Sequence, residues 1–345
     1  MSLARAIITG DLTQLPSRRD EDWRWSDLRG LIRVLPAPSP AHIGAATPGP
    51  FVGLADREVV IVNGRGPATI KIAAGETQSV ALRLVAAKDA GAHASRLAIE
   101  VGAGAMLVLL ESYEGEGTGY VVEANLAIVL AKNARLGRVI IAADDEDAVS
   151  VSRADIDLGP GATLSQTVLT TGAKRQRLET HVAHPGAEAS VRLDGVYVLS
   201  GKRHADLTTV VAHTGAHGFT DQLTKGVVND QARGVFQGRI VVSSGADQTD
   251  ARMGHHALVL SDRAEVDAKP ELEIYADDVA CAHGATVGAL DDEALFYARQ
   301  RGIPEVEARA MLTGAFLGEV VDRIEHEGAR AIARSWLAGQ LGTRP

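Results

Sequence analysis

Between Val59 and Tyr275 the chain is a succession of short apolar, β-branched runs broken by Gly, Asn and Asp, with few segments that repeat every 3.6 residues. VVIV, VALRLV, MLVLL, YVVEANLAIVL, RVIIA, ADIDL, TLSQTVL, SVRLDGVYVL, LTTVVAH, RIVV and LEIY read as strands in turn. Several alternate: Ala154, Ile156 and Leu158 face one way while Asp155 and Asp157 face the other. Compact turn signals recur between them, GAGA at Gly102, NARL at Asn133, PGAT at Pro160, PGAE at Pro185 and GADQ at Gly245, and the first four start 25 to 31 residues apart. That interval suits one coil of a parallel β-solenoid, in which each coil buries its inner face against the coils above and below. A β-sandwich would also give many short strands. Composition favours the solenoid, because 36 Gly against only 3 Trp, 5 Tyr and 5 Phe leave small and β-branched side chains to fill the interior.

The flanks read differently. LPSRRDEDWRWSDLRGL, from Leu15, is a short polar, helical-looking piece in which Trp23 and Leu28 form part of an apolar stripe. Trp23 and Trp25 either dock a partner or, the simpler reading, pin this segment to the main body. Pro36 to Pro50 holds five prolines in fifteen residues and makes a linker. After Leu290, Asp291 and Asp292 supply capping for a helix through Leu295, Phe296 and Arg299, and Pro304 opens a second that carries Phe316. Gly328 separates a third, with Ile332 and Trp336 at i, i+4 spacing. These helices either cap the open end of the solenoid or present a face to a partner. The expected division is an N-terminal helical subdomain and linker (1–50), a β-helix core (51–289) and a C-terminal helical subdomain (290–345).

A net charge of -9, from 44 acids and 35 bases, argues against nucleic-acid and anionic-membrane partners. No run approaches the ~20 apolar residues of a membrane span. The opening MSLARAIITGDL lacks the apolar core and cleavage site of a secretory signal, and the single cysteine cannot form an internal disulfide. A cytoplasmic chain is expected.

That cysteine, Cys281, stands two residues from His283, so on an extended segment both leave the same face. Thiolate and imidazole suit zinc or an iron-sulfur cluster, but even a catalytic zinc takes three protein ligands, so such a site must recruit residues from elsewhere in the fold or from another chain. The plainer alternative is a buried thiol beside a satisfied histidine. His213 and His217 have helical ligand spacing without a helix, and Thr214 stands where a zincin needs Glu. His181 and His184, and likewise His255 and His256, point apart on a strand. All six are expected at the surface or in turns. GVYVLSGKR, from Gly195, fails the phosphate-loop spacing and follows Lys202 with Arg203. One reading from the residues alone is a metal-dependent β-solenoid enzyme with histidine ligands from neighbouring coils.

KPELEIYADDVACAHGATVGALDDEALFYARQRGI, Lys269 to Ile303, resembles the C-terminal signature of the SufB/SufD family of iron-sulfur cluster assembly proteins, on its SufD branch. The opening segment at Leu15 and ARGVFQGRIVVSSGADQTDARM, Ala232 to Met253, are similar to blocks of the same branch in the same order. The resemblance implies a right-handed parallel β-helix between small N- and C-terminal α-helical subdomains. It implies a non-catalytic scaffold that pairs with SufB as a heterodimer, while a SufC ATPase binds the C-terminal helices through residues such as Phe296, Arg299, Arg301 and Phe316. A homodimer stays open for the isolated chain. On this footing Cys281 and His283 become ligands to a nascent iron-sulfur cluster, held transiently and shared with SufB, and the isolated chain needs no tightly bound cofactor. Two positions depart from the pattern: His255 and His256 stand where amide side chains are expected, and Gly218 where many relatives carry cysteine.

Overall fold

The structure is a computed structural model that describes residues 2–42 and 46–342. Residues 43–45 of the expected linker and 343–345 of the expected C-terminal subdomain lie outside the described residues. Among the described residues, 17 strands wind into a parallel β-solenoid, each coil giving one strand to each of two sheets. The odd sheet holds β1 (Arg57–Val62), β3 (Thr77–Ala86), β5 (Met106–Gly115), β7 (Arg135–Ala143), β9 (Thr163–Thr170), β11 (Ser190–Leu199), β13 (Phe219–Val228), β15 (Thr249–Val259) and β17 (Val279–Gly288). The even sheet holds β2 (Thr69–Ile72), β4 (Ala92–Val101), β6 (Val121–Leu130), β8 (Val149–Leu158), β10 (Arg175–His184), β12 (His204–His213), β14 (Arg233–Val242) and β16 (Glu265–Ile274). Strands within each sheet pair in parallel, an arrangement that rules out the antiparallel sandwich.

The expected turns fall where the chain passes from the even to the odd sheet, and they stack. Asn133 N–H donates to Pro160 O at 2.9 Å, Gly161 N–H to Ala187 O at 2.9 Å and Ala187 N–H to Ala216 O at 2.7 Å. Gly186 has φ +72°, and a Cβ there would lie 2.2 Å from the carbonyl oxygens of Gly215 and Ala216, so the corner needs glycine to let coils approach. Because the coils stack in register, inward positions form columns. One runs Leu107, Leu136, Leu164, Val191, Thr220, Ala251 and Cys281; its neighbour runs Leu109, Arg138, Gln166, Leu193, Gln222, Met253 and His283. Ala154, Ile156 and Leu158 are buried in the shared core, as their alternation predicts.

Both flanks lie against the sides of the solenoid. Helix α1 (Leu3–Thr9) is N-capped by Ser2 and closed by Gly10 at φ 72°, and it packs with Leu15 and Leu28 over Val121, Val149 and Val151 on the outer face of the even sheet. Residues 15–31 are not the expected helix but a chain of turns containing one 3-10 turn, Glu21–Trp23. Its backbone is tied by side chains instead: Ser17 N–H donates to Asp20 Oδ2 and Gly30 N–H to Asp27 Oδ1, both at 2.8 Å.

Helix α2 (Asp292–Gln300) begins at Asp291, whose carboxylate accepts from the N–H groups of Glu293 and Ala294. Helices α3 (Glu305–Val321) and α4 (Glu327–Gln340) do not cap the open end, contrary to one expectation. Leu317, Val320, Val321, Ala333 and Leu337 instead bury Val108, Leu110, Val139, Ile141, Val196 and Leu223 on the outer face of the odd sheet. Strands β5 and β7 carry apolar residues on both faces, Leu109 and Leu136 inward and Val108 and Val139 outward, which requires a second layer outside.

Candidate functional site

The last coil is open. Among the described residues no strand pairs with the far edge of β17 or of β16. β17 reads VACAHGATVG, ten residues rich in small side chains and largely exposed, with no charge or proline to blunt its free edge. The opposite end is guarded: β2 has only four residues, and Lys71 pairs across to Glu100 at 2.9 Å.

Cys281 and His283 sit on this last strand at the ends of the two inward columns, beside Ala251 and Met253 of β15. The sequence expectation that both leave one face is met, and their Cα atoms are about 6.7 Å apart on an extended strand. Cys281 is half-buried against the terminal core cluster of Phe236, Ala251 and Met253, whereas His283 is exposed. Burial pushes the Cys281 thiol above its ordinary range, a backbone hydrogen bond from Ala251 opposes this, and Asp250 adds to it. The isolated chain therefore presents a protonated thiol that a metal centre would have to deprotonate on binding. Among the described residues no group of three or more His, Cys, Asp or Glu side chains is arranged to hold a metal ion.

The histidines expected at the surface divide. His217 is an exposed corner residue at φ 61° and His181 is half-exposed, but His184, His213 and His255 are fully buried, which corrects the expectation. The reason is strand parity: His184 follows inward Val182 by two residues, His213 follows Val211, and His255 follows Met253. Rings of His184 and His213 stack with centroids 4.2 Å apart, and His213 Nε2 lies 3.0 Å from Thr220 Oγ1. A Cβ on Gly218 would lie 2.5 Å from His213 Nδ1 and 3.0 Å from His184 Cε1, so the stacked pair fills the space that a side chain at 218 would need. His255 stacks flat on Phe236, centroids 4.7 Å apart, with Nε2 3.0 Å from Tyr197 Oη. Burial holds His213 near 3 and His255 near 4, so both are neutral packing groups at physiological pH. The near-miss phosphate loop starts inside β11, where Gly195 to Leu199 is extended strand.

On the C-terminal helices Phe296, Arg299 and Arg301 are exposed, with Arg299 3.5 Å from Glu305 and the Arg301 guanidinium 4.6 Å from the Tyr297 ring centroid. Exposed Tyr297, Val306 and Met311 add to the same region. Phe316 is separate from the other three: it is half-buried against the sheet, with Lys225 Nζ 4.5 Å from its ring centroid.

Comparison with known proteins places this geometry in a family. The model of the SUF system FeS cluster assembly, SufBD core domain, matches residues 84–316, from the third strand to the middle of α3. The iron-sulfur cluster assembly protein SufD of Escherichia coli is 35% identical over 207 residues, 60% of this chain and 49% of that protein. A SufBD family protein of Synechocystis is 31% identical over 238 residues, 66% of this chain and 52% of that protein. The chain thus spans about half the length of these two relatives. A SufBD family protein of Mycobacterium bovis is 28% identical over 346 residues, 91% of this chain and 86% of its own. Among the described residues no helix is long and apolar enough to cross a membrane. With its parallel solenoid, its terminal strand bearing Cys281 and His283 and its match over two thirds of its length, the chain belongs to the SufB/SufD family of iron-sulfur cluster assembly proteins, on the SufD branch.

Proposed function

We propose that the chain is a non-catalytic scaffold subunit of the SUF assembly complex, acting in the cytoplasm. It pairs with SufB along the free edge of β17 and binds the SufC ATPase through the exposed residues of α2 and the start of α3. The observation that carries this reading is the incompleteness of the terminal coil: Cys281 and His283 point inward from a strand that, among the described residues, has no neighbour on its far side. Such an edge offers a row of unpaired N–H and C=O groups to a second chain. A partner strand laid there would bring its own side chains opposite Cys281 and His283. The nascent cluster is then cargo assembled between two chains, with thiolate and imidazole from this one and the remaining ligands from SufB. Metal binding would supply the charge that makes Cys281 release its proton. ATP hydrolysis belongs to SufC in this reading, and conformational work would reach the solenoid through the helices.

Coexpression with SufB and SufC tests the reading. A stable ternary complex is expected, and recovery of this chain alone, while SufB and SufC still associate, would overturn it.

A further inference from the structure

The 3-10 turn Glu21–Trp23 lies outside the matched core, yet it is bonded into three strands of the even sheet, β10, β14 and β16, and through Arg177 and Ser26 it is linked to a fourth, β12. The Arg177 guanidinium of β10 lies 4.4 Å from the Trp23 ring centroid and donates to Asp22 O at 2.6 Å. Arg177 also pairs with Asp206 of β12 at 2.6 Å, a carboxylate that accepts from Ser26 Oγ at 2.5 Å and from Gln237 Nε2 of β14 at 3.0 Å. Gln237 Nε2 is also 3.2 Å from Asp22 O, and Arg239 of β14 donates to Asp22 Oδ1 at 2.9 Å. Lys269, on the last even strand, completes the set with Glu21 at 2.9 Å and Glu271 at 3.2 Å.

β16 needs this attachment. It has one ladder, to β14, and none of its residues is fully buried. Its face toward the turn carries Glu265, Asp267, Lys269, Glu271 and Glu273, an excess of negative charge that Arg233, Arg239 and Lys269 offset in part. A single exposed ion pair would contribute little. Here the pairs form one network anchored at a buried end, where Trp23 covers Arg177 and the Asp22 carbonyl accepts two hydrogen bonds.

We propose that the Glu21–Trp23 turn is a clamp that fixes β16 in register and thereby sets the shape of the open edge to which the partner subunit binds. Trp23, Glu21 and Lys269 are positioning residues, distant from the thiol and imidazole. The partner half of this statement rests on the scaffold reading above; the clamp itself does not.

Hydrogen exchange on the full chain, with and without SufB and SufC coexpression, tests it. Trp23→Ala is expected to speed exchange across Glu265–Ile274 about tenfold, and Lys269→Glu about fivefold, with the amides of β5 to β9 unchanged as the internal reference. The swap Glu21→Lys with Lys269→Glu should bring exchange back to about two- to threefold of wild type, because it restores the pair to residue 21 with reversed sign while the new carboxylate at 269 still faces Glu271. Recovery of SufB should fall in both single variants and return in the swap. Unchanged β16 exchange in both singles, or a swap that fails to rescue, overturns the clamp. Faster exchange with full SufB recovery overturns its role in setting the edge. Failure of the wild-type chain to retain SufB instead counts against the scaffold reading, while the exchange data still judge the clamp.

Discussion

The ion pair inside the solenoid gives the sharpest energetic prediction. Arg138 projects inward from β7 and meets Glu111 of β5 through two parallel bonds, Nε to Oε2 at 2.8 Å and Nη2 to Oε1 at 2.9 Å, while Nη1 donates to Gln166 at 2.7 Å. Arg138 is 3% exposed and Glu111 fully buried, and their column neighbours include Leu109, Leu82 and Ile140. Burial works against the guanidinium's charge, but Glu111, with a further contribution from Tyr113, opposes it and the net displacement is upward. Replacing Arg138 by Met leaves a buried carboxylate without its cation, at a cost of about 3–5 kcal/mol; Glu111→Leu leaves the converse charge at a similar cost. The double variant removes both charges from an apolar setting and should lie within about 2 kcal/mol of wild type, the residue of that difference being the donor that Gln166 Oε1 loses. The coupling energy is then several kcal/mol. Urea unfolding followed by circular dichroism, at constant m, measures all four corners of the cycle. A single variant costing under about 1 kcal/mol, or two singles that simply add in the double, would refute the argument.

Other expectations follow from the same interior. Gly226→Ala would bring a Cβ to 1.8 Å from Tyr197 Cζ, so a loss of about 3 kcal/mol is expected by thermal or urea denaturation, with part of it recovered by Tyr197→Leu; a variant as stable as wild type would contradict the packing. Burial holds His93 and His255 near 4 and His213 near 3, well below 6.5, so their contribution is fully present above pH 6.5 and is lost as pH falls toward 4. Asp194 has the opposite sign: burial, opposed by Arg323 and Arg192, raises it to about 7, so its contribution is present below 3.8 and lost as pH rises through 7. Between pH 7 and 5 the two oppose, and Asp194→Asn should steepen the acid loss by roughly 1.4 kcal/mol per pH unit; equal slopes of urea stability in wild type and variant would count against this. Cys281→Ala and His283→Ala should each lower cluster formation in the assembled complex, read by visible absorption, without changing exchange in β5 to β9. Unchanged cluster yield in both would make the pair structural.

The coil was legible in the sequence because it is written twice, in the alternation within strands and in the turns between them. Strands β4 and β13 were harder to see, since their inward positions include Ser95 and, in β13, Thr220, Gln222 and Thr224. Two of them are satisfied across the core rather than in water: Gln222 and Thr209 exchange hydrogen bonds at 2.9 and 3.1 Å, and Thr220 Oγ1 lies 3.0 Å from His213 Nε2. The buried histidines were misjudged by residue type, although their spacing from Val182, Val211 and Met253 already put them inside. MLVLL and RVIIA, apolar on consecutive positions, held the signal that a helical layer must cover the odd sheet. The shared face of Cys281 and His283 followed from extended geometry alone. That the strand has a free edge did not, because an edge is defined by the neighbour that is missing. The N-terminal turn was equally hidden, for its bonds join residues up to 248 positions apart.

The return of α3 and α4 along the flank has a mechanical consequence. Lys225 and Asp221 of β13 hold Glu319 and Arg323 at the end of α3, and Arg323 also lies 3.1 Å from Asp194 of β11. A push or pull on the helices would therefore be delivered to β11 and β13, toward the last coil, and β13 stands only two strands, about 9.6 Å, from β17. Parallel strands locked in register carry load along the stack as shear, so a displacement imposed at the side would emerge as a tilt of the last strand. On the scaffold reading proposed above, the body would then work as a short lever, loaded on its flank and acting at its tip.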